Sequence, residues 1–326
     1  MTKREYSVSS IQLFFIMFSF VFSGLFLYGE GSLTRMIFSC FFLSVICLAA
    51  GTVCEGYHCS LSFYNDIFGK MQMIFKTISL IFLFIAAIKD ISVFSLSVAA
   101  FYGGKYAYII FVAVVIICVF AVWRDTLGAA RFCELCFFSV CAVILLSLLG
   151  KRDGSFYLAL AEKDVFSAFD IIGCTSVMFS LYLRVITQKN KAMSDFSRNG
   201  NFHPSPIYCG ALAPIFALAV YSAVTFFGVR SNILANALIW FSHLARCFAF
   251  AVCACDLCGL AECNASNKKA HRFAAAAVVF SASILMLQFI PERAIACAEI
   301  LYNVLFPCVA FVCCTVKEAQ NSGQIY

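Results

Sequence analysis

Residues 164–186 read DVFSAFDIIGCTSVMFSLYLRVI. The stretch is long enough to cross a bilayer, which takes about 20 helical residues. Yet it carries Asp170 in its body and Gly173-Cys174-Thr175 at its middle. A carboxylate at membrane depth costs about 2.5–3.5 kcal/mol on insertion scales, so it marks a candidate functional site. A glycine flanked by small, hydrogen-bonding residues is where a helix can open and turn backbone groups toward a ligand. The competing reading is a small-residue packing face with Asp170 reaching toward the interface.

The rest of the chain has the same character. Of 326 residues, 63% are hydrophobic and 12% are charged, and the mean hydropathy is +0.94. A soluble domain is about 25% charged, so the apolar surface is meant for lipid. The 38 phenylalanines fit that use, and five prolines with no long polar tract leave no room for a sizeable soluble domain. The net charge of +6 is spread singly over short loops. It therefore speaks to topology rather than to nucleic acid, and no nucleic-acid partner is expected.

Most of the 19 cysteines lie inside apolar runs, for example Cys40, Cys47, Cys118, Cys141, Cys247 and Cys308. There a thiol acts as a small hydrophobe, and so many of them fit a reducing setting. Cys133 and Cys136 have CxxC spacing without a βαβ context. Cys253, Cys255, Cys258 and Cys263 with His271 could form a zinc set, and Cys54, His58 and Cys59 are weighed equally with them. The packing reading takes precedence for all three groups, so no metal and no cofactor is expected.

Ten spans are expected, near 9–28, 33–53, 72–98, 106–123, 129–149, 164–186, 207–228, 232–257, 271–290 and 294–316. The first resembles a signal peptide but has no small-residue cleavage site after it, so it reads as a retained helix. The third is long and carries Lys89-Asp90, which reads as an interruption in a tilted span. With the N-terminus inside, thirteen Lys and Arg fall on the cytoplasmic side and seven outside. That bias favours both termini in the cytoplasm.

Ten spans divide into two sets of five, at 1–153 and 154–326, within one membrane domain. An odd number per half forces opposite orientations, the inverted-repeat architecture of transporters. The first span of each half has a glycine beside a hydroxyl or thiol residue: Ser23-Gly24 and Gly173-Cys174-Thr175. Both helices are expected to break there and face each other across a site.

Further candidates are polar residues at depth. Lys89 and Asp90 either neutralise each other or line a solute path. His243 and Arg246 stand three apart on the eighth span; the histidine is a proton relay or a packing residue, and the arginine needs Asp170 or Asp90 as partner. Arg131 and Glu134 read as an anchor near an interface. Pro214 and Pro307 are expected to kink their spans. Walker, Rossmann, Ser-His-Asp and metalloprotease patterns are absent, and no enzyme is expected.

Several stretches carry a family resemblance. YSVSSIQLFFIMFSFVFSGLFLY at 6–28, IKDISVFSLSV at 88–98, RDTLGAARFCELCFFSV at 124–140, DLCGLAE at 256–262 and FPCVAF at 306–311 resemble the endospore germination permeases. These are the B subunits of spore germinant receptors, in the amino acid–polyamine–cation transporter superfamily. The chain departs from them in its short length, its FYGGKY at 101–106 and its cysteine content. The resemblance implies an all-α, LeuT-like inverted five-plus-five fold in the spore inner membrane. It implies sensing of a small solute such as an amino acid, together with A and C type partner subunits. By the same resemblance, Ser23, Gly24, Gly173, Cys174 and Thr175 line the pocket, with Lys89 and Phe241 nearby. A proton- or sodium-coupled amino-acid symporter and a membrane scaffold without a solute site are the alternatives.

Overall fold

The computed structural model describes residues 9–28, 33–55, 67–101, 106–124, 126–149, 205–226, 240–249 and 292–321. Every regular element among them is helical. In chain order these are α1 (Ser10–Tyr28), α2 (Leu33–Glu55), α3 (Gln72–Phe101), α4 (Ala107–Arg124), α5 (Thr126–Leu149), α6 (Pro206–Phe226), α7 (240–249) and α8 (Glu292–Asn321). Seven correspond to expected spans within a few residues, and α7 is part of the eighth. The expected sixth and ninth spans lie outside the described residues.

Among the described residues, three helical stretches are long and apolar enough to cross a membrane: Met36–Cys54, Gly69–Ala99 and Pro206–Thr225. Ser10–Phe26, Tyr108–Cys118 and Leu301–Lys317 are shorter apolar helical runs. Phe38, Phe41, Tyr108, Ile116, Leu135 and Leu212 are all more than half exposed. Such a surface suits lipid and is costly in water. Among the described residues the protein is all-helical, and it is of the membrane class.

Local chemistry starts and seals the helices. Ser9 and Gln12 form a reciprocal cap on α1: Gln12 N–H donates to Ser9 Oγ at 3.1 Å, and Ser9 N–H to Gln12 Oε1 at 3.0 Å. Gly69 opens the short 3₁₀ turn Gly69–Met71 before α3 with φ +50°, a conformation that suits glycine. Hydroxyls inside apolar helices satisfy themselves on carbonyls three or four residues back. Ser44 donates to Cys40 O at 2.9 Å and Ser95 to Ile91 O at 2.6 Å. Pro214 and Pro307 lie inside helices that continue on both sides of them.

The core forms where α1 packs against α6 and α5, and α2 against α6. Phe14, Phe18, Phe22 and Phe26 recur every four residues and so share one face of α1. Their rings contact in sequence at 6.4, 5.3 and 4.9 Å. Phe137 of α5 meets Phe18 at 4.8 Å, Phe216 of α6 meets Phe14 at 5.8 Å, and Tyr221 of α6 meets Phe26 at 4.7 Å. In lipid, close side-chain packing of this kind holds helices together, because the hydrophobic effect between them is absent.

The order of contacts gives the sense of neighbouring helices. Asp90 and Phe94 of α3 meet Arg246 and His243 of α7 in reverse order, so the two run antiparallel. Phe82 and Phe68, on α3 and just before it, meet Tyr302 and Phe306 of α8, again in reverse. Both agree with strict alternation of spans. One pair does not. Phe15 meets Phe138 and Ser19 meets Cys133, so α1 and α5 pass in opposite senses where spans one and five of an alternating chain are parallel.

Two expectations about helix breaks are corrected. α1 is continuous through Ser23-Gly24. One carbonyl, that of Phe20 a turn before the glycine, accepts from the Ser23 hydroxyl and, from another helix, from Arg246. α3 is continuous for 30 residues through Lys89-Asp90. The pair of charges does not interrupt it, because Asp90 is neutralised from another helix.

Candidate functional site: a buried ion pair at the crossing of three helices

Asp90 lies nine residues before Ala99, which places it about 14 Å along the helix axis from that end of the span. That is close to half of a ~30 Å hydrocarbon core. Phe20 stands near the middle of α1. Arg246 of α7 reaches both. Its Nε donates to Asp90 Oδ2 at 2.5 Å, and its Nη1 donates to the Phe20 carbonyl at 3.1 Å. Its guanidinium carbon also sits 4.2 Å above the Phe20 ring.

All three residues are sealed from solvent. Arg246 is 2% exposed, Asp90 3% and Phe20 1%. Each charge alone would cost a few kcal/mol at this depth, whereas paired and hydrogen-bonded they are tolerated. Ser23, 0% exposed, donates its Oγ to the same Phe20 carbonyl at 3.0 Å. That carbonyl thus serves a side-chain hydroxyl and a guanidinium in addition to its place in the helix. Gly24 follows it, buried within α1.

A second layer sits one helical turn away. The His243 ring meets Phe94 edge to face at 5.9 Å, and both residues are buried. Cys247 and Cys118, both buried, are neighbours beside the ion pair. A separate polar contact joins α3 to α8, where the Tyr302 hydroxyl and Ser79 Oγ lie 2.6 Å apart, both buried.

The sequence candidates therefore divide. Asp90, Arg246 and Ser23 come together on Phe20, with Gly24 adjoining and His243 one turn away. Of the two partners expected for Arg246, Asp90 is one that it finds. Lys89 is half-buried and turned about 100° around α3 from Asp90. Phe241 is 48% exposed and contacts Phe132 of α5 rather than the ion pair. Asp170, Gly173, Cys174 and Thr175 lie outside the described residues. Cys133 and Cys136 are buried free thiols on α5, and Cys136 Sγ lies 3.7 Å from the Phe241 carbonyl. Arg131 is exposed and Glu134 half-buried on the same helix.

Phe20 was not among the sequence candidates. It acts through its carbonyl and its ring, and one phenylalanine among 38 gives no signal of either. Tyr302 was legible in principle, as a phenol in the middle of an apolar span.

The arrangement is a charge-neutral polar knot binding α1, α3 and α7 at mid-depth. Chemically it can exchange one anionic or cationic partner for another of like charge without exposing a bare ion to lipid. No family model matches the chain, and no curated protein matches it.

Proposed function

We propose that the protein is a permease-type membrane subunit that binds a small solute such as an amino acid near the bilayer midplane. Its specific setting, on the sequence resemblance, is that of a spore germinant-receptor B subunit that signals to A and C type partners. The observation that carries the solute-binding reading is the Asp90–Arg246 pair lodged against the α1 backbone. Buried charge at such depth is expensive and generally marks a functional site. An amino acid offers one carboxylate and one ammonium group, the two charges that this knot already balances.

The helix pairing supports an inverted repeat. Exchange of halves maps spans one to five onto six to ten. Spans two and ten meet as α2 and α8, and their images seven and five meet as α6 and α5, with Phe216 and Phe137 at 5.9 Å. Spans three and ten meet at Ser79 and Tyr302, and their images eight and five meet at Phe248 and Phe132, 5.2 Å apart. The pairs two–seven and three–eight map onto themselves, and both are in contact.

A second reading, a membrane scaffold without a solute site, is favoured by two observations. α1 is continuous at Ser23-Gly24, and α1 and α5 pass in the sense opposite to strict alternation. A coupled symporter is the third reading.

Thermal unfolding of the purified full chain against a panel of amino acids separates these readings. Permease-type binding gives a saturable rise in Tm with one class of amino acid, since a ligand stabilises only the state that it binds. The rise is lost in Gly173→Leu while the protein still inserts. A flat response to every amino acid leaves the scaffold. Uptake of the binding amino acid into proteoliposomes identifies a symporter, and adjacent genes for A and C type subunits identify a receptor.

A further inference from the structure

This inference rests on the solute-binding reading and concerns what that site requires. The groups around Arg246 each attract a cation for a separate physical reason. Asp90 supplies a full negative charge, with Oδ2 2.5 Å from Nε. The Phe20 carbonyl supplies the negative end of a dipole, 3.1 Å from Nη1. The face of the Phe20 ring supplies the negative lobe of a quadrupole, 4.2 Å from the guanidinium carbon. These attractions come from α1 and α3, and the cation comes from α7.

A carboxylate and a main-chain carbonyl are hard oxygen donors of the kind that inorganic cations take as ligands. Here a tethered side chain fills it. A guanidinium keeps its charge at any working pH, and its planar fork serves a carboxylate and a carbonyl together. With Asp90 already neutralised, an added inorganic ion would lose its hydration for little electrostatic gain.

We infer that the crossing of α1, α3 and α7 is a cation site which this chain fills with its own Arg246, so that solute binding requires no sodium or other inorganic cation.

The test is thermal unfolding of the full chain in detergent, with sodium chloride exchanged for choline chloride at equal concentration. The wild-type Tm is expected to be the same in both salts. Arg246→Ala is expected to lose roughly 5–10 °C. Methylguanidinium at millimolar concentration restores part of that loss saturably, and it does so far less in Asp90→Asn/Arg246→Ala. A saturable rise of the wild-type Tm in sodium alone overturns the inference, and it can be read even if Arg246→Ala fails to fold. Equal restoration in the single and double variants, or none in either, also overturns it. None of these measurements uses an amino acid. A chain that passes them yet binds no amino acid loses the permease reading and keeps the cation site.

Discussion

Arg246 meets Phe20 twice: Nη1 donates to its carbonyl at 3.1 Å, and the guanidinium lies over its ring at 4.2 Å. One residue of α1 thus offers two distinct acceptor surfaces to a cation that belongs to α7. The same cation is anchored by Asp90 of α3. Three helices far apart in sequence are fixed to one another at a single point, and the ion pair ties two of them, α3 and α7, by charge.

That geometry separates breaking the pair from replacing it. Asp90→Asn leaves a buried guanidinium with weaker compensation and should cost about 3 kcal/mol or more. Asp90→Leu/Arg246→Met removes both charges and should come within about 1–2 kcal/mol of wild type. Thermal or denaturant unfolding in detergent reads both. A double variant as unstable as the single one would mean that the carbonyl and ring contacts, rather than charge balance, hold the crossing.

The phenylalanine ladder of α1 predicts a contrast of position. Phe18 is 1% exposed and touches Phe14, Phe22, Phe137 and Phe216. Phe18→Ala should cost about 3 kcal/mol, because the cavity lies between three helices. Phe38 is 67% exposed, and Phe38→Ala should change stability by less than about 0.5 kcal/mol. Comparable losses at both sites would show that Phe38 is covered.

Tyr302 and Ser79 should behave as a coupled pair. Tyr302→Phe removes a buried hydroxyl contact of 2.6 Å to Ser79, a loss of about 1 kcal/mol. With Ser79→Ala already in place, Tyr302→Phe should cost less. The double-mutant cycle measures that coupling, and an additive result would remove the contact from the list of forces joining α3 to α8.

The start of α1 gives a local prediction. Ser9→Ala deletes the hydroxyl that accepts from Gln12 N–H and should cost about 1 kcal/mol. Ser9→Asp keeps an acceptor there and should retain most of the stability. Equal losses in the two variants would mean that the cap contributes nothing to folding in lipid.

Helix identity and extent were legible in the chain because lipid imposes one severe rule. Backbone groups must be satisfied within the segment, so a long apolar run can hardly be anything but a helix. Seven of the ten expected spans match described helices within a few residues, and an eighth matches in part. The need of Arg246 for a carboxylate was also legible, since an unpaired buried charge is too costly to keep. Which carboxylate it takes was a matter of distance in three dimensions: 156 residues separate Arg246 from Asp90. The state of α1 at Ser23-Gly24 was likewise a tertiary decision. Local residues permit the helix to open there. Ser23 Oγ and Arg246 Nη1 converge on the Phe20 carbonyl one turn earlier, and the helix runs through. Sequence pattern governs what a segment can do alone, whereas the choice among its options depends on charges and rings brought from other helices.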